Sequence, residues 1–404
     1  MAVARRFPLL PPLLTGVLLR TVWWWLVEPV PVSDGQIYHD GALSFAAGRG
    51  FSFADGEPNG YWPPGYSWFL SLFEPLTGGS FAGWFAPNLL LAASLILTQA
   101  ALAQACFGRR AGVAAAWMAA CLPSWILLPT TGLSENLFLV LVTGFAALAV
   151  GSWRTGTAVT LLGTLLGAAI LTRPTALVLP AIHVGAAWCA RVPARKGLAQ
   201  VACATALGLL MCVPWGLRQQ RMFGEFSLSS FNGGPVLWMG NHDGPPTTNI
   251  PERFRDLGVV ERHRAMQAEA IEFIRAHPGT YVSRIGERAV TALRSETFAV
   301  WWNGPAIRAR FGEGGIRLAG LVCSAGWYAV AAAALAAAWL RIRSGCAGRV
   351  DAWIAAALLL QSLPFLLLDS QNRYHAPLVP FLAAWASWLW SGWRQDSSGQ
   401  PRSS

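Results

Sequence analysis

The feature that most constrains this chain is the recurrence of long apolar runs along most of its length. Ten runs approach the roughly 20 residues that a helix needs to cross a bilayer. They lie at residues 8–30, 83–106, 111–132, 136–153, 155–172, 174–190, 197–217, 318–340, 351–368 and 375–393. Because a bilayer offers backbone groups no water, and the runs lack the alternation of barrel strands, each run is expected to be helical. The sequence predicts an all-α polytopic membrane protein with about ten transmembrane helices.

The composition agrees with this class. Hydrophobic residues make up 54% of the chain and charged residues 12%, which is too apolar for a typical soluble domain. The net charge of +10 comes almost entirely from arginine, since Lys196 is the only lysine. These basic residues are spread over many loops, which argues against nucleic acid as a partner. The seven cysteines lack CxxC spacing and favour neither a disulfide framework nor a zinc site.

The distribution of basic residues predicts the orientation. With the N-terminus in the cytoplasm, the short outer loops hold only Arg49, Arg173 and Arg373. The cytoplasmic set holds thirteen basic residues: Arg5, Arg6, Arg109, Arg110, Arg154, Arg191, Arg195, Lys196, Arg341, Arg343, Arg349, Arg394 and Arg402. By the positive-inside rule, this predicts a multi-pass protein of the inner (plasma) membrane with both termini in the cytoplasm. The loop after the first run then faces the periplasm or the exterior.

Two polar segments interrupt the apolar pattern and divide the chain. Residues 218–317 contain 23 of its 50 charged residues, and their periodicity predicts amphipathic juxtamembrane helices in a mostly helical outer region. We expect an N-terminal transmembrane catalytic module over 1–217, with a first outer loop at 31–82. C-terminal transmembrane helices follow at 318–393, and a polar cytoplasmic tail at 394–404.

Acids, phenols and guanidinium groups gather in the loops predicted to face outward. They are Asp34, Tyr38, His39 and Asp40 after the first run, Glu135 and Arg173 in short loops, and Arg373, Tyr374 and His375 before the last run. Arginine binds phosphate through paired hydrogen bonds, and a carboxylate can take a proton from a hydroxyl nucleophile. Taken singly, such residues also have plainer roles, since Glu135 could cap a helix and Arg173 before Pro174 could mark a helix break.

Several motifs in order make a more specific pattern. They are SDGQIYHDGALSFAAGRGFSF, YWPPGYSWFL, GLSENLF, ILTRPTAL, PWGLRQQRMFGEFSLSSFNGGPVLWMGN and NRYHAPLVPFL. This set, over roughly residues 25–390, resembles the GT-C glycosyltransferases. Within this group it resembles family 39, which includes the protein O-mannosyltransferases and the lipid A aminoarabinose transferases.

The resemblance implies transfer, with inversion, of a sugar from a polyprenyl-phosphate donor to a glycan, lipid or protein acceptor at the outer face of the membrane. Asp34 matches the catalytic base of these relatives, and Glu135 a second acidic position. The substrate-binding residues implied or expected are Tyr38, His39, Asp40, Tyr61, Trp62, Glu135, Arg173, Arg373, Tyr374 and His375. No cofactor is expected, because Asp34 and Asp40, six residues apart in a loop, are a poor metal-ligand pattern.

Two alternatives remain open from the sequence. A transporter or flippase of lipid-linked substrates would suit the many helices, although inverted repeats are not evident. A ligase or polymerase acting on lipid-diphosphate glycans would share the outward arginines. The chain also departs from its relatives: Tyr61 and Trp62 replace an acidic–basic pair, and Gly35 replaces a glutamate. These departures leave the sugar and the acceptor undefined.

Overall fold

The computed structural model describes residues 7–151 and 156–391, and its regular structure is helical throughout. Within these ranges the sole β feature is an isolated bridge between Ser52 and Pro58. Parts of the sequence predictions lie outside the described residues, namely the tail 394–404 and the basic residues Arg5, Arg6, Arg154, Arg394 and Arg402.

The helices of the first half are α1 (Leu10–Val27), α2 (Asp34–Ala46), α3 (Gly65–Ser71), α4 (Glu74–Thr77), α5 (Phe85–Phe107), α6 (Arg109–Cys121), α7 (Pro123–Leu127), α8 (Glu135–Gly151), α9 (Gly156–Thr172) and α10 (Leu179–Cys189). Those of the second half are α11 (Ala194–Phe223), α12 (Gly233–Gly240), α13 (Glu252–Arg255), α14 (Val259–Ala276), α15 (Pro278–Leu293), α16 (Phe298–Trp302), α17 (Gly304–Arg343), α18 (Arg349–Leu367) and α19 (Val379–Ser391). Three 3₁₀ turns complete the set: Leu128–Thr130, Pro174–Val178 and Ala376–Leu378.

Every predicted apolar run contains a helix, so the all-α, multi-pass membrane class is confirmed. Among the described residues, five helices are long and apolar enough to cross a membrane: α1, α5, α11, α17 and α18. A sixth is reached if α6 and the bent segment Pro123–Thr130 count as one span. Helices α8, α9, α10 and α19 are apolar but shorter. The number of ten spans therefore stays a prediction.

The third predicted run is not a continuous helix, because it bends by 60° between α6 and α7. Pro123 begins α7 and has no N–H to donate, so the last carbonyls of α6 lose their helical partners. Arg20 of α1 supplies the missing donors: its guanidinium donates to Ala119 O at 2.9 Å and to Ala120 O at 3.0 Å. The arginine is only 1% exposed, and its charge is balanced by hydrogen bonds to the carbonyls of the broken helix. Without it, these carbonyls would be left unpaired in lipid.

Small residues set the closest helix packing. Helix α9 crosses α11 where Gly163 and Gly167 face Gly208, and a Cβ added to Gly208 would lie 3.0 Å from Gly163 O. Such contacts let membrane helices approach each other through their backbones. Together with α5, α8, α10, α18 and α19, this pair surrounds one large apolar core.

The polar segment 218–317 contains two amphipathic helices whose apolar faces are directed oppositely, one toward the protein and one away from it. Helix α14 buries Met266 and Ala270 against α12, as its periodicity predicts. Helix α15 instead buries Arg284 and Arg288, while Val282 is 64% exposed. The apolar face of α15 is thus directed away from the protein, which in a membrane protein is the direction of lipid.

A candidate active site of paired carboxylates and arginines

The site forms where α2 begins, immediately after the first membrane helix. Asp34 is the first residue of α2, and the helix approaches the segment before α8 so closely that a Cβ on Gly35 would lie 2.9 Å from Thr131 O. Ser33 enters the turn with a φ of 48°, a region that non-glycine residues seldom occupy. A glutamate at position 35, as in the mannosyltransferase motif, would clash with the carbonyl oxygen of Thr131. The glycine therefore permits the close approach of α2 to the segment before α8.

Two carboxylates and two arginines alternate in one network. Arg373 Nη1 donates to Asp34 Oδ2 at 2.8 Å, and Arg373 Nε lies 3.9 Å from Glu135 Oε1. Arg173 Nη1 lies 2.8 Å from the same Glu135 oxygen and donates to Ser134 Oγ at 3.2 Å. The Glu135 side chain is 3% exposed and that of Asp34 20%. Asp34 is therefore the carboxylate that a substrate reaches more easily.

Aromatic rings surround the guanidinium groups. The Arg373 guanidinium carbon lies 4.7 Å from the centre of the Trp302 ring and 5.6 Å from that of Tyr374. Arg173 lies 5.9 Å from the same Tyr374 ring. Tyr38, which is buried, donates its hydroxyl to Ser134 Oγ at 3.2 Å. The rings reduce water access while their faces attract the cations.

The electrostatics keep the arginines charged and the phenols protonated. Burial alone would lower the pKa of Arg373, but the charges of Asp34 and Glu135 outweigh burial and raise it above its ordinary value. Burial raises the pKa of Tyr38, and the nearby charge of Asp34 adds to the rise. Burial also raises the pKa of Tyr374. Both hydroxyls can thus serve as hydrogen-bond donors at neutral pH.

Tyr61 and Trp62 form an aromatic pair beside this network, with ring centres 4.3 Å apart. The side-chain oxygen of Asn59 accepts from the backbone N–H groups of both residues, and Arg218 of α11 donates to Asn59 O at 2.9 Å. Burial raises the pKa of Tyr61, and the charges of Tyr374 and Asp34 add to the rise.

His39 and Asp40 lie on α2, and their described polar contacts are within the first loop. His39 Nε2 lies 3.0 Å from Gly79 O, and its ring centre is 4.4 Å from that of Trp84. Asp40 accepts from Gln36 at 2.7 Å. Neither side chain contacts the carboxylate–arginine network in the part of the chain that the structure describes.

His375, by contrast, is completely buried at the base of the site. Its Nε2 pairs with Glu296, and its Nδ1 lies 2.6 Å from Ala292 O. Asn372 Nδ2 also donates to Thr297 Oγ1 at 2.6 Å. These contacts hold the loop that carries Arg373 against the segment after α15. No sequence motif marks Glu296, and only its position opposite His375 reveals the pair.

Comparisons with known proteins agree with this architecture. Residues 62–217 match the family profile described as dolichyl-phosphate-mannose-protein mannosyltransferase. The oligosaccharyltransferase of Archaeoglobus fulgidus, solved with zinc and sulfate, is 15% identical, with a TM-score of 0.55 over 94% of this chain and 48% of that one. The oligosaccharyltransferase AglB of the same organism, solved with an inhibitory peptide and a dolichol-phosphate, is 14% identical, with a TM-score of 0.56 over 95% of this chain and 50% of that one. The shared fold is the GT-C fold.

The GT-C fold expected from the sequence is thereby confirmed, although this chain spans about half the length of the archaeal enzymes. ArnT of Cupriavidus metallidurans, bound to undecaprenyl phosphate, is 16% identical over 92% of this chain and 76% of that one, with a TM-score of 0.44. The fold assignment rests on the archaeal matches alone. No curated protein sequence matches the chain significantly.

The carboxylates of the site already have arginine partners. The described residues contain no group of three or more His, Cys, Asp or Glu side chains that could hold one. The site carboxylates, Asp34 and Glu135, are each already paired with an arginine. A cation that bound both carboxylates would have to displace guanidinium groups.

Proposed function

We propose that this chain is a membrane glycosyltransferase that moves a sugar from a polyprenyl-phosphate-linked donor to an acceptor on the outer face of the membrane. The observation that carries the proposal is the Asp34–Arg373–Glu135–Arg173 network at the end of the first membrane helix of a GT-C fold. The family match over residues 62–217 names a lipid-phosphate sugar as donor. AglB, whose fold is similar, has been solved with a dolichol-phosphate.

In this mechanism Asp34 is the general base. Its carboxylate accepts the proton of an acceptor hydroxyl, and the freed oxygen attacks the anomeric carbon of the donor. The bond between that carbon and the phosphate oxygen breaks, and the electron pair leaves with the phosphate. Attack opposite the leaving group inverts the anomeric configuration. A positioned base of this kind contributes roughly 10²- to 10⁴-fold to the rate.

The arginines stabilise the departing phosphate. The four charged groups of the resting network sum to zero, so a donor phosphate adds negative charge to a neutral site. Arg373 neutralises this charge by releasing Asp34 and binding the phosphate, since guanidinium groups bind carboxylates and phosphates through the same planar donors. Donor binding then frees the Asp34 carboxylate from its ion pair with Arg373, so that the carboxylate can accept the proton of the acceptor hydroxyl.

The other polar residues divide by position. Tyr61 and Trp62 offer a stacking surface for the sugar or the first isoprene units, and Tyr38 and Tyr374 offer hydroxyl donors. His39 and Asp40 line the first loop, where they meet the acceptor. His375, buried with Glu296, positions the arginine loop and makes no substrate contact.

In this proposal the chain lies in the inner membrane and both of its termini are in the cytoplasm. The site then faces the periplasm or the exterior. The support is the distribution of arginines along the sequence, which places the thirteen-residue basic set on the side away from Asp34. The reaction is metal-independent, because arginines supply the positive charge. Reversible loss of activity with a chelator would contradict this point.

The decisive experiment compares Asp34→Asn with Asp55→Asn in purified full-length protein. Asp55 is an exposed aspartate of the same loop, and among residues 7–151 and 156–391 its carboxylate accepts only from the backbone of Glu57. With a synthetic polyprenyl-phosphate sugar, Asp34→Asn should lower kcat by about 10²- to 10⁴-fold, and Asp55→Asn should leave it within twofold. Full turnover by folded Asp34→Asn would eliminate the proposed base.

The archaeal matches favour one second candidate. Because they are oligosaccharyltransferases, a chain of this fold could instead transfer a preassembled glycan, as the ligase alternative supposes. Turnover confined to lipid-diphosphate donors would select that candidate over a monophosphate sugar. Translocation in liposomes without sugar transfer would select the flippase alternative.

A further inference from the structure

A second concave feature lies at the opposite end of the helix bundle. It is a groove of about 620 Å³ between the start of α1, the start of α6 and the end of α19. Its walls include Pro8, Arg109, Arg110, Trp117, Met118 and Trp390. We call it the α6 groove.

Chain direction separates this groove from the carboxylate–arginine network. Helix α1 starts just after Pro8 and ends before Asp34, and α19 starts after Arg373 and passes Trp390 near its end. Each helix therefore has the groove at one end and the network at the other. A ligand in the α6 groove would be distinct from the proposed sugar donor.

The mouth of the groove is cationic. Arg109 and Arg110 are the first two residues of α6, and both are exposed. Neither forms an ion pair or hydrogen bond with another side chain in residues 7–151 and 156–391. The N-terminus of α6 adds its own partial positive charge to theirs. The mouth can thus accept an anion without first giving up a partner.

The wall below this mouth is apolar. Trp117 and Met118 lie two turns further along α6, about 12 Å from the arginines at 1.5 Å per residue. Trp390 faces them from α19, and Trp117 is 40% exposed. Positive charge at one end and an apolar slot at the other match an amphiphile, whereas a free phosphate would use only the arginines.

We propose that the α6 groove binds one anionic phospholipid, with its headgroup phosphate between Arg109 and Arg110 and an acyl chain against Trp117 and Trp390. The volume falls within the range of specific ligand sites. The basic loops mark this end as cytoplasmic, and the cytoplasmic leaflet is where anionic lipids attract basic residues. The proposal does not depend on the sugar-transfer reaction.

Native mass spectrometry of the detergent-solubilised full chain tests the proposal. Phosphatidylglycerol and phosphatidylcholine with identical acyl chains are titrated, and the apparent Kd of the first retained lipid is measured. Phosphatidylglycerol should bind more tightly. The double variant Arg109→Gln/Arg110→Gln should weaken it by about tenfold or more, since each basic residue contributes roughly a factor of five.

Two further variants separate a built site from general charge attraction. Arg195→Gln/Lys196→Gln removes the same charge from exposed residues at the start of α11 on the same predicted side, and should change the Kd by less than twofold. Ala114→Phe keeps both arginines but fills the groove, and should weaken binding severalfold. Equal binding of the two lipids, an equal loss in the control pair, or an unchanged Kd in Ala114→Phe would each overturn the proposal.

Discussion

Replacing Arg373 by glutamine should destabilise the protein through the carboxylates that it leaves behind. The arginine lies 2.8 Å from Asp34 and 3.9 Å from Glu135. At an effective dielectric constant near 20, these separations correspond to attractions of about 6 and 4 kcal/mol. Most of this is offset by the cost of burying the guanidinium. Leaving a buried partner unpaired typically costs about 3–5 kcal/mol, and Arg173 still faces Glu135, so we expect about 3 kcal/mol.

The assay is thermal unfolding in detergent, followed by intrinsic tryptophan fluorescence. The apparent Tm of Arg373→Gln should fall by roughly 5 °C, while Arg275→Gln, an exposed arginine of α14, should not change it. The double variant Asp34→Asn/Arg373→Gln should be more stable than Arg373→Gln alone, because it removes the unpaired carboxylate. An unchanged Tm in Arg373→Gln, or purely additive losses in the double variant, would refute the charge argument.

Two other predictions concern buried polar groups outside the network. Arg20→Leu should destabilise the protein by about 2 kcal/mol or more, since two carbonyls of the broken helix lose their donors. The apparent Tm in detergent should fall much less for Arg20→Lys, and equal losses would contradict the capping role. The pKa of His375 is raised, because the charge of Glu296 outweighs the lowering effect of burial. This contribution to stability is fully present below the ordinary histidine pKa and is lost as pH rises through the raised one. Between pH 5 and 9, the Tm should therefore decline more steeply with pH in wild type than in Glu296→Gln. Equal slopes would show that the His375–Glu296 pair is not the source of the pH dependence.

Some site residues could be found from the sequence because their positions relative to the membrane helices fix where they lie. Asp34 follows the first apolar run and Arg373 precedes the last, so alternation across the membrane predicts that they share one face. That inference requires no knowledge of side-chain packing. It does not extend to distances, and nothing in the sequence shows that Arg373 pairs with Asp34 whereas Asp40 accepts from Gln36.

His375 shows where such reasoning stops. It adjoins two site residues in sequence, and the pattern NRYH predicts a shared role. The imidazole is instead completely buried and meets Glu296 in the interior. A glutamate 79 positions away carries no local signal for this contact.

Hydropathy and the spacing of arginines determined the all-α membrane class and the clustering of acids and arginines at one end of the bundle, because the bilayer imposes helices and alternation on any such sequence. Tertiary structure alone decided which carboxylate meets which arginine, why Arg20 is tolerated at the α6 break, and that α15 buries its arginines. These outcomes depend on helix crossings and side-chain contacts between distant segments. Burial requires each buried polar group to find a partner, and only the folded chain shows which partners are within reach.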